Sequence, residues 1–286
     1  MTLGNIAKKI KDSLIQVNGH RTTQIFFIAY PKTGSTWVRM MLGKYVQLAC
    51  NLSALPLFDA YDWLGRCERY CIGRSMHFSH TPLTWENQTA RDLEFANVIS
   101  PFLKKKVVLI IRNPLDTLVS MWFQEKYRTE IGFTGDLTEF LEHPIFGLEK
   151  FFCFHRLWAE SCDKVKGFHL VRYEDLKISC ADHFRELLQF LGMPVTERFL
   201  QAAVDYGSFD NLKNLEKSGA GPHYPSSGLD IFATGDRNHP DAYHIRRGKV
   251  GGYKDYLDPD MVTQYEARVA QEMTTWNNYL DRVSEG

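Results

Sequence analysis

The stretch from residue 25 to residue 46 restricts the fold of this chain most. Ile25-Phe26-Phe27-Ile28-Ala29 is an unbroken apolar run of strand length, and a strand apolar on both faces must be covered on both, as in the middle of a parallel sheet. It leads directly into Tyr30-Pro31-Lys32-Thr33-Gly34-Ser35-Thr36-Trp37, after which apolar residues recur at helical spacing from Val38 to Val46. A strand, a tight polar turn and a helix leave the first N–H groups of the helix without intrahelical acceptors. They also aim its positive dipole end past the strand, so the turn is an anion site.

The same unit recurs. Apolar runs at 107–111 and 168–172 precede helical patterns at 114–127 and 180–191. Strands alternating with helices predict an α/β fold, a single domain over 1–286 with a central parallel sheet flanked by helices and its ligand at the carboxyl ends of the strands. Residues 1–20 read as a helical extension, with Leu3, Ile6, Ile10, Leu14 and Val17 on one face, packed on the domain rather than lying on a membrane. The polar and aromatic segment 50–100 should hold helices of its own and cover a site. Residues 217–245, rich in Gly, Pro, Ser and Asp and without period, read as a long lid-like loop. A helix over 258–282 closes the chain.

Charge excludes some partners. Lys plus Arg and Asp plus Glu both total 34, so no global field draws in nucleic acid or an anionic membrane, and affinity for a polyanion must come from a local cluster. The apolar runs are too short to span a bilayer, and the N-terminus has no apolar core of a secretory signal, which together predict a cytoplasmic protein without membrane insertion. Cys67 and Cys71 with His77 and His80 fit no common zinc spacing, so the expectation is no metal and free thiols.

The turn lacks the GxxxxGK[ST] pattern of a Walker A loop, because Lys32 precedes Gly34. Lys32, the backbone amides of residues 33–36 and the hydroxyls of Ser35 and Thr36 can nonetheless cradle a phosphate-like group. By itself the same turn also suits an ordinary strand-to-helix connection. Two further elements add to it. Val107-Val108-Leu109-Ile110-Ile111 ends in Arg112, whose planar fork matches phosphate oxygens, with Pro114 at a helix start and Ser120 two turns on. Arg246-Arg247-Gly248 follows the long loop. Three separate anion elements call for a ligand with well-separated anionic groups.

These motifs resemble those of the cytosolic-type sulfotransferases. PKTGSTW is similar to their 5′-phosphosulfate loop PKSGTTW, RNPLDTLVS to their 3′-phosphate segment RNPKDVAVS, VRYEDLK to LYYEDMK, SFDNLK to SFxxMK and RRGKVGGYKDYL to RKGxxGDWKNHF. They occur in the family's order from residue 30 to 257. The resemblance implies the P-loop-like sulfotransferase fold and the donor 3′-phosphoadenosine 5′-phosphosulfate, with adenosine 3′,5′-bisphosphate as product and no metal. It implies that Lys32 neutralises the leaving group while Thr33, Gly34, Ser35 and Thr36 hold the 5′ end. Arg112, Ser120, Arg246, Arg247 and Gly248 would take the 3′-phosphate, with Lys32, His80 and Ser120 as the catalytic set. Trp37 and Phe209 would sandwich the adenine, Tyr173 would meet its edge, and Ser208 would stand beside Phe209. His80 of HFSHTP matches the family's base histidine, with His77 as the fallback.

Two departures stand out. Phe78 replaces the family lysine two residues before the histidine, and Asp258-Pro259 replaces the Thr-Val of a dimerisation motif that would begin at Lys254, so the oligomeric state is open. The acceptor is a small molecule whose class stays open among phenols, alcohols, carbohydrates and cationic alkaloids, as does O- against N-sulfation. Asp59 and Asp62 near Tyr61 and Trp63 suit a polar or cationic acceptor and equally suit a solvated surface. The competing functions are an ATP-dependent P-loop kinase and a catalytically dead nucleotide-binding protein.

Overall fold

The apolar run becomes strand β1 (Ile25–Ala29), all five of its residues buried. The computed structural model describes residues 23–58, 76–80, 88–128, 132–223, 231–232 and 239–276. In it β1 is an inner strand of a four-stranded parallel sheet with β2 (Met76–Ser79), β3 (Lys106–Ile111) and β4 (Gly167–Arg172), in the order β2-β1-β3-β4. Ile28 pairs with Ser79 on one side and Leu109 on the other, and Ile111 pairs with Arg172.

The period of two in a strand divides the core. Phe26, Ile28, Val107 and Leu109 enter one apolar cluster, whereas Ile25, Phe27, Val108 and Ile110 enter another on the opposite face. Removing each such side chain from water contributes about 1.5–3 kcal/mol, which is why the inner strands read as continuous apolar runs.

Helices cover both faces: α1 (Ser35–Ala49), α2 (Phe95–Val98), α3 (Pro114–Tyr127), α4 (Leu137–Leu141), α5 (Leu148–Ala159), α6 (Tyr173–Ile178), α7 (Cys180–Phe190), α8 (Glu197–Tyr206), α9 (Phe209–Ser218) and α10 (Pro259–Glu272). From β1 the chain goes to the β2 edge, then crosses back to β3 on the other side of β1. The strand order thus reverses around β1, where sheets of this kind form a crevice at their carboxyl ends. Lys32, His80, Arg112 and Tyr173 each follow one of the four strands within three residues.

The expected strands and helices of the three β-then-α units, the first helix expected over 36–48, are present with boundaries shifted by a residue at most. β2 was not expected as a strand: four residues place only two on each face, too few for alternation to register. Lys217 and Ser218 belong to α9 rather than to the loop, and Gly219 ends that helix at φ 67°. Residues 224–230 and 233–238 of the loop, the 1–20 extension, the expected helix beyond 276, and Asp59, Tyr61, Asp62 and Trp63 lie outside the described residues. Asp258-Pro259 is a helix start: the Asp258 carboxylate accepts from Met261 N at 3.0 Å and Pro259 is the first residue of α10. The free-thiol expectation is corrected at Cys50, which is disulfide-bonded. Cys153, Cys162 and Cys180 are free. Pairing depends on which side chains the fold brings within reach, and sequence spacing does not encode that.

Candidate active site

The turn after β1 is closed by one carbonyl. Tyr30 O accepts from Thr33 Oγ1 at 2.7 Å and from Thr33 N at 3.3 Å. This tight closure holds Lys32 at φ 69° and Gly34 at φ 102°, conformations that a side chain pays to adopt. Gly34 is required for a second reason: a Cβ there would lie 2.8 Å from Tyr173 Cδ2. The helix that follows has no side-chain cap and no acidic residue in its first turn. Its initial N–H groups and positive dipole end are therefore left for a ligand.

Arg112 ties the second strand end to this turn. Its Nη1 donates to Lys32 O at 3.3 Å and its Nη2 to Lys249 O at 3.1 Å, while the guanidinium stacks 4.3 Å over the Tyr173 ring. Its Nε is buried without a partner, an unmet donor in a basic cleft. Asn113 starts α3 by accepting from Leu115 N and Asp116 N. Along α3 a stripe at four-residue spacing, Asp116, Ser120 and Gln124, faces the same space. Asp116 is buried and accepts from Gly251 N at 2.7 Å and Tyr253 N at 3.1 Å, fastening the segment that carries the Arg246-Arg247-Gly248 cluster.

Both arginines of that cluster have protein partners. Arg246 lies 3.9 Å over the Phe123 ring, donates to Tyr256 Oη and pairs with Asp241 at 3.6 Å. Arg247 pairs with Asp255 at 2.6 Å, a carboxylate that Lys249 shares at 2.9 Å. Gly248, at φ 59°, has no room for a Cβ, which would sit 2.6 Å from the Phe209 ring.

His80 follows β2 with Nδ1 2.8 Å from Ala29 O. A carbonyl only accepts, so Nδ1 carries the proton and Nε2 holds the lone pair. Burial lowers the pKa of His80 below its ordinary value, with Arg39 and Lys32 adding to the shift and the Ala29 bond opposing it. Lys32 is likewise held well below the usual lysine range by burial and by Arg128, against the pull of Glu216. The Phe78 ring stacks on Phe27 at 4.2 Å and lies under the Arg39 guanidinium at 4.6 Å.

One cavity of about 320 Å³ gathers these groups, within the size range of small-molecule sites. Lys32, Gly34, Ser35, Thr36, Trp37, His80, Arg112, Ser120, Tyr173, Phe209, Arg246, Arg247 and Gly248 line it. Thr33 and Ser208 do not. Thr33 is consumed inside the turn, and exposed Ser208 caps α9 by accepting from Asn211 N. His77 pairs with Phe26 across the strands and is also absent from the lining.

Sequence reasoning missed His244, Arg128 and Glu216. His244 lines the cavity with Nε2 3.0 Å from Thr36 Oγ1 and Nδ1 3.0 Å from Arg128 Nη1. Glu216, buried near the end of α9, accepts from Ile245 N at 2.7 Å and from His244 N. Continuing the four-residue stripe of α3 from Ser120 through Gln124 would have reached Arg128. No local pattern marks His244 or Glu216.

A family model described as the sulfotransferase domain matches residues 22–277. The chain belongs to the sulfotransferase family. It is 30% identical over 267 residues to cytosolic sulfotransferase 14 of Arabidopsis thaliana, covering 85% of this chain and 73% of that one. To sulfotransferase 2B1 of Mus musculus it is 23% identical over 259 residues, covering 86% and 69%. Among solved structures, mouse sulfotransferase SULT7A1 complexed with PAP superposes with a TM-score of 0.59 at 21% identity, over 88% of this sulfotransferase and 85% of the mouse chain. Retinol dehydratase in complex with androsterone and inactive cofactor PAP superposes with a TM-score of 0.57 at 18% identity, over 88% and 81%.

Proposed function

We propose that this sulfotransferase moves the sulfuryl group of 3′-phosphoadenosine 5′-phosphosulfate to a hydroxyl of a small-molecule acceptor, in line, with His80 as the base. The observation that carries the proposal is the meeting, in one cavity, of the uncapped helix start with Lys32, the unmet Arg112 donor and the lone-pair nitrogen of His80. The first two suit a doubly anionic nucleotide, and the complexes of mouse SULT7A1 and of retinol dehydratase with PAP agree with that choice. When bound, the donor supplies a sulfuryl group that passes through a loose transition state, so that placement and charge stabilisation carry most of the catalysis.

Each residue then has a task. Lys32 and the N–H groups of residues 34–36 would hold the 5′ end and offset charge on the leaving oxygen. Arg112, Ser120, Arg247 and Gly248 would hold the 3′-phosphate, with Arg246 keeping that segment in place. Trp37, Phe209 and Tyr173 would enclose the adenine. His80, kept neutral at physiological pH, would take the acceptor proton on Nε2. A sulfuryl group carries less charge than a phosphoryl group, and the reading assigns no role to a metal. The names of the Arabidopsis relatives favour a cytoplasmic setting, and no described helix is long and apolar enough to cross a membrane.

Thermal unfolding with adenosine 3′,5′-bisphosphate, AMP and ATP tests the donor assignment. A ligand that binds only the native state raises stability by mass action. The bisphosphate is expected to stabilise most; greater stabilisation by ATP would overturn the assignment.

A further inference from the structure

We propose that His244 is a positioning residue for the anion held at the 32–37 turn: it fixes the Thr36 hydroxyl so that the hydroxyl hydrogen is offered to the cavity. This rests on the reading above, that the turn holds the 5′ end of the nucleotide.

The assignment follows from which atoms can donate. A guanidinium has donors and no acceptor, so the 3.0 Å contact from Arg128 Nη1 makes His244 Nδ1 an acceptor. A neutral ring with a lone pair on Nδ1 carries its proton on Nε2. That nitrogen lies 3.0 Å from Thr36 Oγ1 and therefore donates to it. The hydroxyl oxygen is thus occupied as an acceptor, and its single hydrogen must go elsewhere. In a helix a threonine hydroxyl commonly turns back to the carbonyl four residues earlier. Here that carbonyl is Lys32 O, which accepts from Arg112, and Thr36 Oγ1 makes no bond to it. Among the described residues the Thr36 hydrogen has no other protein acceptor, and Thr36 lines the cavity.

The two histidines of the cavity consequently hold opposite tautomers. His80 has its proton on Nδ1 and a free Nε2, suited to accept a proton, while His244 has its proton on Nε2, suited to donate a hydrogen bond. The backbone on either side of the His244 ring is tied down, because Glu216 accepts from both His244 N and Ile245 N. The charged and titratable groups whose fields reach the ring are Lys32 on the turn, Arg128 at the end of α3, His80 after β2 and Arg39 on α1. With burial they hold His244 well below its ordinary pKa and preserve the neutral, donating form. The chain from Arg128 through His244 to Thr36 therefore ends in one oriented O–H, fixed before the anion arrives.

Calorimetric titration of the full chain with adenosine 3′,5′-bisphosphate and with adenosine 3′-monophosphate tests this. His244→Leu should weaken the bisphosphate about tenfold, the scale of one hydrogen bond to a charged group, and leave the monophosphate within about twofold. His244→Gln, which keeps an acceptor and an N–H, should recover most of the loss. Thr36→Val combined with His244→Leu should bind no more weakly than Thr36→Val alone. If Leu prevents folding, His244→Asn, too short to span both partners, gives the same comparison. Equal losses on both nucleotides, or additive losses in the double variant, would overturn the proposal. Failure of the unaltered protein to bind the bisphosphate would instead overturn the donor assignment beneath it.

Discussion

Replacing Asp116 by Asn separates charge and acceptor count from shape. The Asp116 carboxylate is 3% exposed and accepts one N–H from Gly251 on one oxygen and one from Tyr253 on the other. It also sits in the first turn of α3, where a negative charge meets the positive dipole end. An asparagine of the same size keeps one acceptor and sets an NH₂ against the other backbone N–H. One hydrogen bond to a charged group contributes about 1.5–3 kcal/mol, and the stranded donor adds roughly another 1 kcal/mol, giving about 2–4 kcal/mol in all. If the 246–253 segment unfolds only with the whole protein, the thermal midpoint falls by roughly 5–10 °C on the usual scale for a chain of this size. If the segment detaches alone, the loss appears as nucleotide affinity, roughly 30- to 1000-fold for adenosine 3′,5′-bisphosphate. Scanning calorimetry and titration calorimetry on the same preparation distinguish the two. A variant with midpoint and affinity both unchanged would refute the reasoning, because the carboxylate would then be doing nothing that an amide cannot.

Three other outcomes are expected. Because burial lowers the pKa of His80 and the active form is neutral, the rate should rise with pH to a plateau with the midpoint of the rise below the ordinary value of 6.5; His80→Ala should lose this limb and roughly 10²–10⁴ in turnover, and an unchanged profile would move the base elsewhere. His155 is fully buried against Tyr30, Phe151 and Phe154 with neither ring nitrogen hydrogen-bonded, and burial lowers its pKa from 6.5 to about 3. The unfolded chain therefore binds a proton that the native state refuses, so stability is undiminished above pH 6.5 and falls by up to about 1.4 kcal/mol per pH unit toward pH 3. His155→Leu should make acid unfolding shallower by that slope, and identical slopes would discount the residue. Gly34→Ala forces a side chain to φ 102° and into the Tyr173 ring, at a cost of about 1–2 kcal/mol for the backbone alone; a drop in melting temperature with loss of nucleotide-induced stabilisation is expected, and normal binding would show that the turn can relax.

Where structure was carried by contiguous residues, the sequence alone was sufficient. The three β-then-α units, the Lys32 turn, Arg112 and the Arg246-Arg247-Gly248 cluster were legible because strand burial, helix spacing and turn chemistry are local and repeat over a few residues. The four strand ends also met as a parallel sheet requires, since every strand in it delivers its carboxyl end to the same edge. The side chains of Thr33 and Ser208 are committed to the turn and to a helix cap, partners that motif position alone does not reveal. His244, Arg128, Glu216 and the Asp116 bridge were decided by tertiary structure alone. Their partners lie 28 to 208 residues away in sequence, and no periodicity links a helix end, a loop and a buried carboxylate until the sheet has brought them together. The tautomer of each histidine belongs to that second category as well, because it is set by what the far nitrogen touches: a carbonyl for His80 and a guanidinium for His244.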